Sequence, residues 1–253
     1  MKKNHSSTRS PRLLIALLAL AAGLLMAAPA AANAITVYAA ASLREAFPKM
    51  SPGQTYNFSG SNELQLQIEH GAPADVFASA APEEAQALFR EGLCTRPVTF
   101  ATNTVVMLVP DGNPGNVKSV YSLRHGNRTL AVGTPGVPIG SYTRELLARM
   151  RLTSILTTNT VTLEKNVTGI TAKVALGAVD AGFAYVTDGR IVSERVEIIH
   201  LPRWAQPPVR YQACVVRRSG ADTTGAEKFI KQLVGKPGRA ALKEGGFGLP
   251  PTA

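Results

Sequence analysis

Four short runs of small residues matter for the chemistry they permit: Ala40-Ala41-Ser42, Ser59-Gly60-Ser61, Pro138-Ile139-Gly140 and Asn166-Val167-Thr168-Gly169. Each joins a stretch with strand character to one with helical spacing. A helix start leaves backbone N–H groups unpaired and carries partial positive charge, so such a junction binds an anion without a lysine or arginine. Ser42 and Ser61 add hydroxyl donors at two of the four junctions. Taken singly, each serine reads first as an ordinary helix N-cap. Taken together, the four junctions fall at the carboxyl ends of strands, where α/β sheets collect ligands.

The elements that must hold these loops follow a repeating order. A strand over 35–40 leads to a helix opening at Ser42, with Leu43, Ala46 and Phe47 on one face. A strand over 55–59 leads to a helix from Ser61 that Gly71 stops, and a buried strand over 75–78 leads to an alanine-rich helix over 82–92 with Pro82 in its first turn. The run 98–109 is apolar and β-branched, long enough to pass from one lobe to another. Beyond it the pattern predicts strands over 130–133, near 161, and over 181–186, 196–201 and 211–217. Helices are predicted over 141–150, 168–177, 226–236 and 239–244. Strands alternating with helices predict an α/β architecture with mainly parallel sheets.

Composition narrows the classes of function. The first 34 residues join a basic start (Lys2, Lys3, Arg9, Arg12) to an apolar run over 13–26 and the small-residue end Ala32-Asn33-Ala34. This is the form of a secretory signal peptide cleaved after Ala34. The apolar run is too short for a good bilayer span, and no cysteine near the cut offers a lipid attachment point. Of 27 Lys and Arg residues four lie in this leader, leaving 23 against 17 acids, a net charge of +6 in the remainder. Those charges are scattered, without a dense basic run or interleaved aromatics, so nucleic-acid binding is not expected. Cys94 and Cys214 are the two cysteines. A disulfide in an oxidising compartment and two separate buried thiols suit them equally. His70, His125 and His200 are far apart in sequence, so no local metal-ligand cluster and no cofactor is expected.

The run Ile35-Thr36-Val37-Tyr38-Ala39-Ala40-Ala41-Ser42-Leu43 resembles the mature start of periplasmic molybdate-binding proteins of ABC importers, the ModA family. So, in the same order, do Phe58-Ser59-Gly60-Ser61, the run from His70 to Phe77, Thr102-Asn103, Leu130 to Gly133, Val137 to Tyr142, Asn166-Val167 and Asp180 to Tyr185. The resemblance spans nearly all of the chain after the leader. It implies a two-lobed periplasmic-binding-protein fold of type II, each lobe a mixed, mainly parallel sheet flanked by helices. Lobe 1 would hold 35–99 plus 212–253 and lobe 2 would hold 100–211. It also implies a monomer that captures molybdate or tungstate outside the cytoplasmic membrane and delivers it to a membrane permease.

Carried over residue by residue, Ser42 and Ser61 would each give a hydroxyl and an amide, Ile139 and Val167 a backbone N–H, and Tyr185 its phenolic O–H, with Ala40 in the first loop. No side chain would coordinate the metal, which arrives as an oxyanion. Ile139 stands where the family pattern has alanine, a change of little weight for a backbone contact. The segment Lys49-Met50-Ser51-Pro52-Gly53 is shorter than the family pattern, and the cysteine pair lies outside the binding motif. A Cys94–Cys214 bridge would brace lobe 1 near its hinge. A fully ionised anion has only acceptors and suits a donor-only pocket, whereas a protonated one needs an acceptor in the site. Sulfate satisfies the same logic and stays open as an alternative. A serine-dependent enzyme is the rival of another class, but neither serine has a GxSxG elbow, an SxxK pattern or a histidine in the ligand loops.

Overall fold

The computed structural model describes Met1 and residues 34–251. The expected leader therefore lies outside the described residues but for its two ends. Both sheets of the protein belong to one compact unit that begins at Ala34.

The first sheet contains β1 (Thr36–Ala40), β2 (Thr55–Ser59), β3 (Val76–Ser79), β4 (Val98–Thr102) and β10 (Arg210–Val215), in the order β2-β1-β3-β10-β4. The second contains β5 (Val105–Pro110), β6 (Thr129–Gly133), β7 (Thr160–Glu164), β8 (Ala181–Tyr185) and β9 (Val196–His200), in the order β7-β6-β8-β5-β9. The two orders have one pattern. In each, three strands pair in parallel and the two that complete the sheet pair antiparallel. Each sheet is thus mixed, and the antiparallel half comes from the strands that carry the chain between sheets. The apolar run over 98–109 divides at Asn103-Thr104, its one polar pair after Thr102, so that β4 and β5 serve different sheets. Residues 100–102 belong to the first sheet through β4, and β10 rejoins that sheet at Arg210.

Burial explains which strands are central. β3, β5 and β8 are buried at every position, as expected of strands covered on both faces. Edge strands β2 and β7 are mostly half-exposed. Each parallel set is pinned by an aspartate just before its third strand. Asp75 Oδ2 accepts the Thr36 N–H at 2.8 Å, and Asp180 Oδ2 accepts the Thr129 N–H at 2.7 Å. Asp75 also pairs with Arg218 at 2.7 Å and so ties β1 to the segment after β10.

The helices follow their start signals. They are α1 (Ala46–Met50), α2 (Ser61–Glu69), α3 (Pro82–Arg90), α4 (Pro138–Arg149), α5 (Ile155–Thr158), α6 (Val167–Ala175), α7 (Val186–Ile191), α8 (Thr223–Val234) and α9 (Lys236–Glu244). Proline occupies the first turn of α3, α4 and α9, where its missing N–H costs nothing. Asn166 and Asp222 cap α6 and α8 by accepting the N–H groups of Gly169 and Gly225. The helix expected to open at Ser42 is instead a 3-10 turn, Ala41–Leu43, followed by α1. Pro48 accounts for the restart: deep inside a helix begun at Ser42 it would lack its N–H and clash with the preceding turn, whereas in α1 it sits in the first turn.

Candidate functional site

The carboxyl ends of the six parallel strands converge on one small cavity. From the first sheet, β1 supplies Ala40-Ala41-Ser42, β2 supplies Ser59-Gly60-Ser61 and β3 supplies Ala80. From the second, Val137-Pro138-Ile139 follow β6, Asn166-Val167 follow β7, and Tyr185 ends β8. All six residues singled out from the sequence, Ala40, Ser42, Ser61, Ile139, Val167 and Tyr185, therefore line the same space. Ala80 belongs to a fifth junction that the sequence reading passed over, although Ser79-Ala80-Ala81 ahead of Pro82 carries the same small-residue signal.

The cavity holds about 20 Å³. That exceeds the ~10–15 Å³ that one water requires. None of its lining residues carries a charge. Ser61, Ile139 and Val167 lie in the first turns of α2, α4 and α6, where backbone N–H groups have no partner within the helix. The start of α4 is held tightly against β6. Arg144 donates to the carbonyls of both Gly133 and Gly140 at 2.8 Å, and a Cβ on Gly140 would come within 2.5 Å of the Gly133 carbonyl oxygen. Glycine at 133 and 140 is what lets the helix start approach the strand end so closely.

Hydrogen bonding separates the serines. Ser59 gives its proton to Glu63 at 2.6 Å. Neither Ser42 nor Ser61 caps its own helix, because the cap positions are Ala40 and Gly60. Ser61 Oγ accepts the Ala80 N–H at 3.0 Å, which leaves its own proton unspent. Ser42 Oγ lies 2.9 Å from Tyr211 Oη. Tyr185 is 1 % exposed, and its hydroxyl has no hydrogen-bond partner within the described residues. Burial, reinforced by Tyr211, Tyr142, Asp188 and Glu84, holds Tyr185 far above the usual phenol range, so it is a neutral donor. Burial also pushes the Glu84 and Asp188 carboxyls up to about 7, which lessens the negative charge near the cavity at neutral pH.

Residues 35–248 match the family described as bacterial extracellular solute-binding protein. The chain is 35% identical over 229 residues to the molybdate-binding protein ModA of Mycobacterium tuberculosis, covering 87% of this chain and 86% of that one. This chain belongs to the bacterial extracellular solute-binding protein family. Its fold is that of other solute-binding proteins of known structure. The periplasmic molybdate-binding protein of Azotobacter vinelandii superposes with a TM-score of 0.74 at 24% identity, over 86% of this chain and all of that one. The sulfate-binding protein SubI of M. tuberculosis gives 0.68 at 16% identity, over 85% and 86%. For this solute-binding protein the cavity at the six strand ends is the candidate solute site, since the rest of its lining is scaffold for the donors described above.

The cysteines sit away from that site. Cys94 and Cys214 are free, buried thiols in a small cluster with Phe77, Leu88 and Val216. Cys94 Sγ is directed at the carbonyls of Ala85 and Thr95, and the neighbouring Cys94 thiol together with burial pushes that of Cys214 far up.

Proposed function

We propose that the protein captures molybdate or tungstate outside the cytoplasmic membrane and delivers it to the membrane permease of an ABC importer. The observation that carries this reading is the donor set. Ser61 has its lone pair engaged by Ala80, Tyr185 is buried and neutral with no partner among the described residues, and the starts of α2, α4 and α6 present amides. A small, uncharged pocket rich in hydroxyl and amide donors, with no carboxylate in its lining, matches a small, fully ionised oxyanion. In this reading Ser42, Ser61 and Tyr185 give hydroxyl protons, Ser42, Ser61, Ile139 and Val167 give amide protons, and Ala40 shapes the first loop. The relatives named for molybdate support the metal oxyanion over others. No cofactor takes part, and the protein acts as a monomer without nucleic acid. It is a carrier, not an enzyme: the partners of the two serine hydroxyls are a phenol and an amide, neither of them a base. Two lobes built on the two sheets would close on the anion about the crossings at 103–104 and 201–209.

Sulfate is the second reading, favoured by the same donor chemistry and by the fold shared with a sulfate-binding protein. Thermal unfolding separates the two, because a ligand that binds only the folded form raises its melting temperature. At a hundredfold excess over Kd the stabilisation is about 2.7 kcal/mol. For a domain of this size that amounts to roughly 5–10 °C. Molybdate and tungstate are expected to produce this shift, with phosphate producing none. A shift with sulfate alone would transfer the assignment to sulfate.

We also propose that Cys94 and Cys214 join as a disulfide once the protein is exported. Their place together in one small buried cluster, in a compartment that oxidises thiols, supports it. Thiol titration of the exported protein, denatured without reductant, is expected to find no free thiol. Two reactive thiols would reject the bridge.

A further inference from the structure

A hydroxyl that must give its proton to an anion has to be kept from giving it elsewhere. At Ser61 the Ala80 amide does this, since an N–H can only donate. At Ser42 the partner is Tyr211 Oη, 2.9 Å away, and a bond between two hydroxyls can run in either direction. The direction is decided one residue further on. Asn103 Nδ2 lies 3.2 Å from Tyr211 Oη and 2.9 Å from Thr187 Oγ1. The orientation of that amide is fixed, because Asn103 Oδ1 accepts the Thr104 N–H at 2.9 Å and a flipped amide would set donor against donor. Asn103 therefore donates to Tyr211, the Tyr211 proton turns to Ser42 Oγ, and the Ser42 proton is left for the cavity. The chain is consistent at its other end, where Thr187, having accepted from Asn103, donates to Asp188 Oδ2 at 3.5 Å.

We propose that Tyr211, set by Asn103, holds the Ser42 hydroxyl as a donor toward the cavity and so adds to the pocket's preference for oxyanions that carry no proton. This rests on the oxyanion reading and adds a selectivity determinant to it. Tyr211 does not line the cavity; it is a positioning residue, fully buried in β10. A Ser42 hydroxyl released from it could rotate and accept a hydrogen bond from a protonated ligand.

The test is calorimetric titration of the exported protein with molybdate, sulfate and inorganic phosphate at neutral pH. The variants are Tyr211→Phe, Ser42→Ala and the two combined. Tyr211→Phe is expected to weaken molybdate about tenfold, the effect of misdirecting one hydrogen bond to a charged group. Sulfate, which like molybdate carries no proton, should weaken in step. Phosphate should be nearly unchanged, so that the molybdate-to-phosphate ratio narrows about tenfold. In the Ser42→Ala background the Tyr211→Phe effect is expected to vanish. Equal weakening of all three anions, or an effect that persists without Ser42, would show a structural role only and overturn the proposal. Should Tyr211→Phe not fold, Asn103→Ala breaks the same chain and is expected to narrow the same ratio. A wild-type protein that binds none of the three anions overturns the oxyanion reading itself. A wild type that binds, with variants that leave the ratio unchanged, overturns the positioning role alone.

Discussion

Replacing Ser42 and Ser61 together with alanine is expected to lower oxyanion affinity by about two to four orders of magnitude. Each hydroxyl is read as a donor to a charged ligand, and such a bond contributes about 1.5–3 kcal/mol. That is a factor of roughly ten to a hundred and fifty for each serine. The variants should differ in the stability of the ligand-free protein. Ser61 Oγ is the acceptor for the buried Ala80 N–H, so its removal orphans a backbone donor and costs about 1–3 kcal/mol. Ser42→Ala takes the acceptor from the buried Tyr211 proton, a smaller loss because Tyr211 keeps its bond from Asn103 and its hydroxyl can turn. Titration calorimetry should accordingly be run well below the melting temperature of each variant. Affinity within threefold of wild type would remove both serines from the site.

Gly60→Ala is expected to weaken binding by as much as a hundredfold while leaving the ligand-free melting temperature nearly unchanged. Gly60 has φ −64° and ψ 137°, which any residue adopts, so alanine introduces no backbone strain. The added Cβ would instead meet the Lys165 carbonyl oxygen. That oxygen belongs to the segment between β7 and α6, on the opposite side of the cavity from the first sheet. A backbone atom cannot swing aside as a side-chain tip can, so the two halves of the pocket must separate. Overpacking of this kind costs about 1–3 kcal/mol, and if the lobes open without ligand, as proposed above, the cost falls on the closed arrangement that binds. Small-angle scattering with saturating ligand checks the cause, since the variant should stay more expanded than wild type. A variant that binds normally would mean that the contact at Gly60 is relieved without opening the pocket.

The parts of the site that could be read from the sequence are those written in local spacing. A small-residue loop after an apolar strand and before a helical pattern needs only a few consecutive residues to be recognised, and four of the five such loops at the cavity were read this way. The fifth, Ser79-Ala80-Ala81 ahead of Pro82, carries the same small-residue signal. The break before α1 was also local, in Pro48, but its effect depends on how far into a helix the proline falls. Tyr211 and Asn103 are a different case. They lie 169 and 61 residues from Ser42, and nothing in the spacing of either announces a partner. Their role appears only once β10 returns beside β3 and the crossing at Asn103 is packed against both sheets. The apolar run over 98–109 shows the same limit: its pattern marked strand, but not that Asn103-Thr104 would divide it between two sheets.

The place of β10 also governs the order of assembly. The second sheet draws its strands without interruption from residues 105–200, so a chain that emerges N-terminus first can complete it early. The first sheet cannot close at that stage, because β10 must enter between β3 and β4 and is not delivered until residue 215. Until then β4 is separated from β1, β2 and β3, and the apolar edge of β3 is open to pairing with any other strand. Non-local closure of this kind is slow. The interval between release of β3 and arrival of β10 is therefore when this protein is most exposed to aggregation, and the segment that ends it is the one that carries Tyr211.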